Sequence, residues 1–333
     1  MQLTSAERDI LTQLQRGIAI ERSPFSQHSL PASDVIQLLQ HAQAQGWVRR
    51  FGGVFDSRKL GYKSMLCCVV GAEDRLEEAA AMICEHAGVT HCYERRPITG
   101  EQDYPRLWFT IAMLAESFDS GMETLQRQLA PMKIIMLPAL QRFKVEVVFD
   151  LRKDASEKSR AQTYRPTSGN KETAIVPLTD HDRKLIRLVG DNLPITEHPF
   201  DAIAEKMGMD VTDVLGKLQH WKRKGALRRI APILYHRKAG FTANGMCVWK
   251  VSGDVEEIGR KVATRPEVTH CYQRPRVKAF PFDLYAMIHA GSVEALQNMF
   301  RKISVDCGLQ DGILLLSSRE FKKSSMQYFE RET

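Results

Sequence analysis

The sequence predicts an α+β chain in which one unit occurs twice in tandem. That unit is a winged helix-turn-helix head followed by a ferredoxin-like βαββαβ domain, and the two copies fold together as a pseudo-symmetric intramolecular dimer. Three observations predict this. The string VTHCYERRP (89–97) returns as VTHCYQRP (268–275), an offset of 179. Helical periodicity gives way to strand-like runs in the same order in both halves. Between the halves lies DLRKDASEKSRAQTYRPTSGNKET (150–173), polar, almost free of aliphatic residues, and read as a linker. A chain of 333 residues is also too long for one ordinary core.

The repeat extends well beyond the H-C-Y string. RRFGGVFDSRKLGY (49–62) aligns without a gap on RRIAPILYHRKAGF (228–241), again at 179. Upstream the offset falls to 175: LTSAERDIL (3–11) matches LTDHDRKLI (178–186), and Pro24-Phe25 matches Pro199-Phe200. Downstream, Phe143-Lys144 answers Phe321-Lys322. A repeat of this length is a duplicated domain pair and not a solenoid. The expected boundaries are a head over 1–60, a ferredoxin-like domain over 61–149, a linker over 150–176, a second head over 177–239 and a second ferredoxin-like domain over 240–333.

Each element has its own justification. Ile10, Leu11, Leu14 and Ile18, like Leu185, Ile186 and Val189, fall at helical spacing and predict the first helix of each head. FDAIAEKMG after Pro199 predicts a short second helix in copy two. DVIQLLQHAQAQG (34–46) and DVLGKLQHWKRKG (213–225) predict a third, each stopped by glycine. A strand pair forming the wing is expected to follow. Then come a strand (SMLCCVV; GMCVWKV), a helix (EDRLEEAAAMICEH; GDVEEIGRKVAT) and the H-C-Y strand. A further strand (RLWFTIAML; DLYAMIHA), a helix and a last strand complete the βαββαβ order.

Composition narrows the partners. The apolar fraction of 43% and charged fraction of 26% are those of a globular protein, and no apolar run reaches the eighteen residues a membrane span requires. MQLTSAERDILTQL lacks the basic start and apolar stretch of a signal peptide. None of the seven cysteines forms a C-x-x-C pair, so they read as free thiols in a reducing cytoplasm. A net charge of +7 biases the chain towards anions, either nucleic acid or a small polycarboxylate.

A winged helix ahead of a ferredoxin-like domain is the layout of Lrp/AsnC transcription regulators, which raises DNA binding as one reading. A reading helix needs Lys or Arg for phosphates and base edges. The stretch from Ser23 to Val48 has neither, and copy two carries Lys217, Lys222, Arg223 and Lys224 mostly at the helix end. DNA is therefore not the expected partner.

The motifs point elsewhere. RRFGGVFDSRKLGY with VTHCYER and YPRLWFTI resembles one subunit type of the siroheme decarboxylases, relatives of the Lrp/AsnC proteins. RRIAPILYHRKAGF with VTHCYQRPR and FPFDLYAMIHA resembles the other. The tandem is similar to the fused form of the heme d1 pathway. The resemblance implies that siroheme loses carbon dioxide from two ring acetates to give didecarboxysiroheme. It also implies that no separate cofactor is needed, because the iron arrives with the substrate. Siroheme, its decarboxylated products and other heme d1 enzymes are the partners it implies, with no membrane and with further pairing of chains left open. Two departures stand out: the segment RPITGEQDYPRLW is longer in copy one, and Arg106 stands where the family commonly has Asn, with Asp283 at the comparable place in copy two. A heme-binding sensor, with His270 or His289 on iron, is a third reading.

The chemistry asks for cations that dock carboxylates and for a positioned acid. In copy two His270, Tyr272 and Arg274 alternate along a strand and share a face; His91, Tyr93 and Arg95 repeat the pattern in copy one. His270, His91, His289, Tyr272 and Tyr93 are the candidate acids. Arg274, Arg95, Arg49, Arg50, Arg228, Arg229, Arg237 and Lys238 are the candidate carboxylate docks. Only one arginine of each adjacent pair is expected to face a pocket. Trp108 and Tyr285 would form the floor, with His289 on the same face as Tyr285. Met113, Met246 and Met287 read as core. Each of these residues also has a plain structural use, as a satisfied histidine, a core aromatic or a solvated turn. For His91 and His270 the recurrence with Tyr and Arg on one face in both copies argues against it, whereas Trp108 and Tyr285 read as core residues that also touch ligand. Copy two, with two histidines, is expected to hold the more competent pocket.

Overall fold

The computed structural model describes residues 3–98, 104–145, 151, 174–235 and 243–329. Most of the expected linker, together with Arg237 and Lys238, lies outside the described residues.

The first head opens with α1 (Ser5–Leu14) and the second with α5 (Asp180–Gly190). The repeated Leu-Thr explains both starts. Thr4 and Thr179 each cap a third-position backbone N–H, and the carboxylates of Glu7 and Asp182 accept from the cap's own N–H in return. Ile18, expected on α1, lies beyond its end but is buried, its N–H bonded to the Ile230 carbonyl. The third helices are α2 (Ala32–Ala44) and α7 (Val211–Arg223); the chain leaves them through Gly46 and Gly225, both at φ 70°. α6 (Asp201–Met207) is the short second helix of copy two. In copy one no helix lies between α1 and α2, and Phe25 fills that place against Phe51.

The wing differs from expectation. Among the described residues each head contributes a single strand, β1 (Val48–Phe55) or β7 (Leu227–Leu234), and the two pair antiparallel with each other across the copies. Gly52 lets the end of α5 press onto β1: a Cβ there would stand 2.3 Å from the Asp191 carbonyl oxygen. One apolar core consequently runs through both heads, joining Leu11 and Leu39 of the first to Leu185, Leu218 and Trp221 of the second.

In copy one, β2 (Tyr62–Val70), α3 (Leu76–Glu85), β3 (Val89–Pro97), β4 (Leu107–Leu114), α4 (Phe118–Gln128) and β5 (Lys133–Leu137) follow the βαββαβ order. Copy two repeats it with β8 (Ala243–Trp249), α8 (Val255–Ala263), β9 (Val268–Gln273), β10 (Leu284–Ala290), α9 (Val293–Cys307) and β11 (Gly312–Lys323). β6 (Gln141–Val145) belongs to copy one by sequence but pairs with β9 of copy two. β11 likewise pairs first with its own β8 and then with β3 of copy one. One sheet results, in the order β5-β2-β4-β3-β11-β8-β10-β9-β6. Its two end strands are separated in the chain by residues 138–140 only, so the sheet curls towards closure. Helices cover its outer face over two separate cores. Cys92 and Cys271, on the alternate face of the H-C-Y strands, lie in those cores. Phe143 of β6 is pressed onto Gly259 of α8, where a Cβ would stand 2.3 Å from its ring. Among the described residues no helix is long and apolar enough to cross a membrane, and all seven cysteines are free thiols.

Candidate active site

The inner face of the sheet and the paired wing strands enclose a cavity of about 580 Å³. Both H-C-Y rows open onto it, which corrects the expectation of one pocket per copy. Twelve of the predicted residues line it: His91, His270, His289, Tyr93, Tyr272, Arg95, Arg274, Arg49, Arg50, Arg229, Trp108 and Tyr285. Period-two alternation accounts for the rows, since it sends the cysteines outward and the polar side chains inward.

Each row is a stack. The His91 and Tyr93 ring centroids are 6.1 Å apart, and the Arg95 guanidinium lies 5.2 Å over Tyr93. In copy two the spacings are 6.2 Å for His270 to Tyr272 and 4.9 Å for Arg274 to Tyr272, with Arg274 also 5.6 Å over Tyr285. Thr90 and Thr269 hold the Nδ1 atoms of the two histidines at 2.9 and 3.2 Å, which leaves Nε2 as the nitrogen available for proton transfer. Arg95 and Arg274 are almost wholly buried. Each fastens one guanidinium nitrogen, Arg95 to Ser317 at 2.9 Å and Arg274 to the Leu137 carbonyl. The Nε of each has no partner among the described residues, and neither does the Tyr285 hydroxyl. Buried polar atoms without partners are uncommon in a finished fold, and these three face one cavity. Trp108 and Tyr285 form its floor, and the buried Phe280 packs against both, its ring 4.9 Å from Trp108 and 6.1 Å from Tyr285.

Electrostatics follow from burial among cations. Burial, then Lys323, Arg49, His270 and Arg95, push the His91 pKa down to about 4. Burial, Arg228 and Lys144 bring His270 to the same value. Burial lowers Arg95 to about 10 and raises the Tyr285 phenol. The cavity is therefore cationic, and His91 and His270 are held neutral in it.

Three expectations need correction. Arg228 does not line the cavity; it pairs with Asp56 at 2.9 Å, and Arg58 binds the same carboxylate at 3.0 Å. Burial alone would raise Asp56, but Arg58 and Arg228 outweigh it and bring its pKa down to about 2. Arg50 does reach the cavity wall, yet its guanidinium is spent on the carbonyls of Gly53, Gly190 and Asp191. Met246 and Met287, read as core, line the cavity too. Arg106 ion-pairs with buried Glu94, as does Arg96 at 2.7 Å. Asp283 accepts from the Val251 N–H and from Arg276.

Sequence reasoning missed several lining residues, among them Arg142, Tyr235, Asn244, Lys323 and Tyr328. Most come from the exchanged strands and the chain end. Alternation in QRFKV marks Arg142 as facing one side, but which sheet that strand joins is not written in its own residues.

Comparison with known proteins agrees with this layout. The AsnC-like ligand binding domain family matches residues 59–144 and 238–322, and the siroheme decarboxylase NirDL-like HTH domain matches 182–228. A siroheme decarboxylase of Hydrogenobacter thermophilus is 33% identical over 97% of this chain and 95% of its own length. The chain belongs to the siroheme decarboxylase family. The siroheme decarboxylase beta subunit of Methanosarcina barkeri is 40% identical over 44% of this chain and 97% of its own, about half the length of this chain. The crystal structure of the siroheme decarboxylase NirDL superposes with a TM-score of 0.73 at 29% identity, covering 98% of this chain and 95% of that one. The same decarboxylase solved with an iron-uroporphyrin III analogue gives 0.72 at 28% identity, with the same coverage.

Proposed function

We propose that the shared cavity is where siroheme binds and loses carbon dioxide from two ring acetates, giving didecarboxysiroheme for heme d1 synthesis. The chain is a carboxy-lyase. The observation that carries the site is the pair of His–Tyr–Arg stacks, one from each copy, facing a single cationic cavity. A structurally similar decarboxylase holds an iron-uroporphyrin III analogue, a macrocycle of the same kind, which supports a tetrapyrrole in this place.

Arginines dock the acidic side chains, with Arg95 and Arg274 nearest the rows. In the reaction the bond between the carboxyl carbon and the methylene carbon breaks, and carbon dioxide leaves. The electron pair stays on the methylene carbon and spreads into the macrocycle. One proton delivered to that carbon completes the methyl group. His91 and His270 are the proton donors. Both are neutral before substrate arrives; a polycarboxylate entering among the cations reverses the local potential and raises their affinity for protons. The Tyr93 and Tyr272 rings hold each imidazole against its arginine. Trp108 and Tyr285 exclude water beneath the ring system.

The test is anaerobic incubation of the purified chain with siroheme, followed by mass. Loss of two carbon dioxide units is expected; recovery of unchanged tetrapyrrole would overturn the reading.

A further inference from the structure

The two halves of the cavity differ in charge at matching positions. Arg49 and Arg228 correspond at the offset of 179, and so do Asp56 and Tyr235. In one half Asp56 binds Arg228 at 2.9 Å and turns it out of the cavity lining. In the other half the matching residue is Tyr235, on the cavity wall beside Arg49. Arg49 lines the cavity and donates to the Ser325 hydroxyl at 3.1 Å; among the described residues no carboxylate ion-pairs with it. Glu320 acts on it only at longer range.

The strands exchanged between copies show the reverse asymmetry. Arg142 of β6 stands opposite Tyr272, and Glu320 of β11 stands opposite Tyr93. These are the same register position with opposite charge. Where the wing arginine is neutralised, the exchanged strand supplies Arg142 to the cavity. Where the wing arginine is available, the exchanged strand carries an acid.

We propose that, beside the buried Arg95 and Arg274, the polycarboxylate substrate is docked by two further, non-equivalent arginines, Arg49 above the His91 row and Arg142 above the His270 row, while Arg228 serves the Asp56 ion-pair cluster. This rests on the siroheme reading of the cavity. It goes further by naming which cations touch carboxylates, and it gives the macrocycle a preferred orientation, since the halves no longer present the same surface.

The experiment is an absorbance titration of the full chain with siroheme at low salt, alongside thermal melts. Arg49→Gln and Arg142→Gln are each expected to raise Kd by about tenfold or more, the loss of one charge-assisted contact, with little change in melting temperature. Tyr235→Asp is expected to weaken binding comparably by capturing Arg49. Arg228→Gln is expected to lower the melting temperature and leave Kd of the folded protein within about twofold. Equal losses in Arg49→Gln and Arg228→Gln, or an unaltered Kd in Tyr235→Asp, would overturn the assignment while leaving the decarboxylase reading intact. Wild-type protein that binds no siroheme would overturn both.

Discussion

Arg95 of the first copy donates a hydrogen bond to Ser317 of the second, Nη1 to Oγ at 2.9 Å. Ser317 passes a bond of 2.8 Å to Asn244, which faces His289 across adjacent strands. The innermost arginine of one row is thus fastened by the other copy. The pseudo-dimer interface is at the same time the wall of the site, and a change in either row is expected to be felt by the whole cavity.

Proton delivery is the first thing to test. His270→Ala removes an imidazole whose Nδ1 is already held by Thr269. A loss of about a hundredfold in kcat is expected, with KM changed by no more than about threefold. A normal kcat would take His270 out of the proton role.

Acid sensitivity has a definite sign. An unfolded histidine titrates near 6.5, whereas His91 and His270 titrate at about 4 in the fold. Between those values the unfolded chain holds more protons, so stability falls as pH drops from about 6.5 to about 4. The loss is on the order of 2–3 kcal/mol per histidine. Thermal melts across this range should show it, and the double variant His91→Asn/His270→Asn should give a visibly flatter curve. Parallel curves would refute the cause.

The Tyr285 hydroxyl makes opposite demands on stability and function. It is buried at 2% exposure and has no hydrogen-bond partner among the described residues. Tyr285→Phe is expected to stabilise the ligand-free protein by about 1 kcal/mol, since a buried orphan is removed. The same variant should lose several-fold in siroheme affinity. Lower stability together with unchanged affinity would show that the hydroxyl serves the fold alone.

Strand exchange can be tested through Phe143, which copy one lends to the core of copy two. Phe143→Ala should cost about 3–5 kcal/mol, read as a shift in denaturant midpoint. A cost below about 1 kcal/mol would mean that the ring is not clamped between β6 and Gly259.

Much of this was legible beforehand because it is local. The helical spacing, the terminal glycines and the alternation of His, Tyr and Arg all depend on residues close in sequence, and the elements built on them stand close to where those patterns place them, the wing excepted. The βαββαβ order and the duplication followed from the same patterns. What escaped depends on pairing between distant segments. Nothing in QRFKV says that it leaves its own domain for β9, and nothing in RRFGG says that its strand partner lies in the other copy. Without those pairings, Arg142, Lys323 and Tyr328 had no reason to stand near His91 or His270. Arg228 looked equivalent to Arg49 because the repeat preserves the arginine, while the residue that decides its direction, Asp56 rather than Tyr235, sits on the opposite half.

Each H-C-Y strand receives its outer neighbour from the other copy, and a sheet built on such mutual loans needs one of each half. Carrying both halves on one polypeptide fixes their stoichiometry at synthesis and shuts out pairing of like with like. Freed from having to match itself, each half can specialise. Tryptophan opposite tyrosine on the floor, and aspartate opposite tyrosine at the wing, are differences that a self-pairing homodimer could not keep.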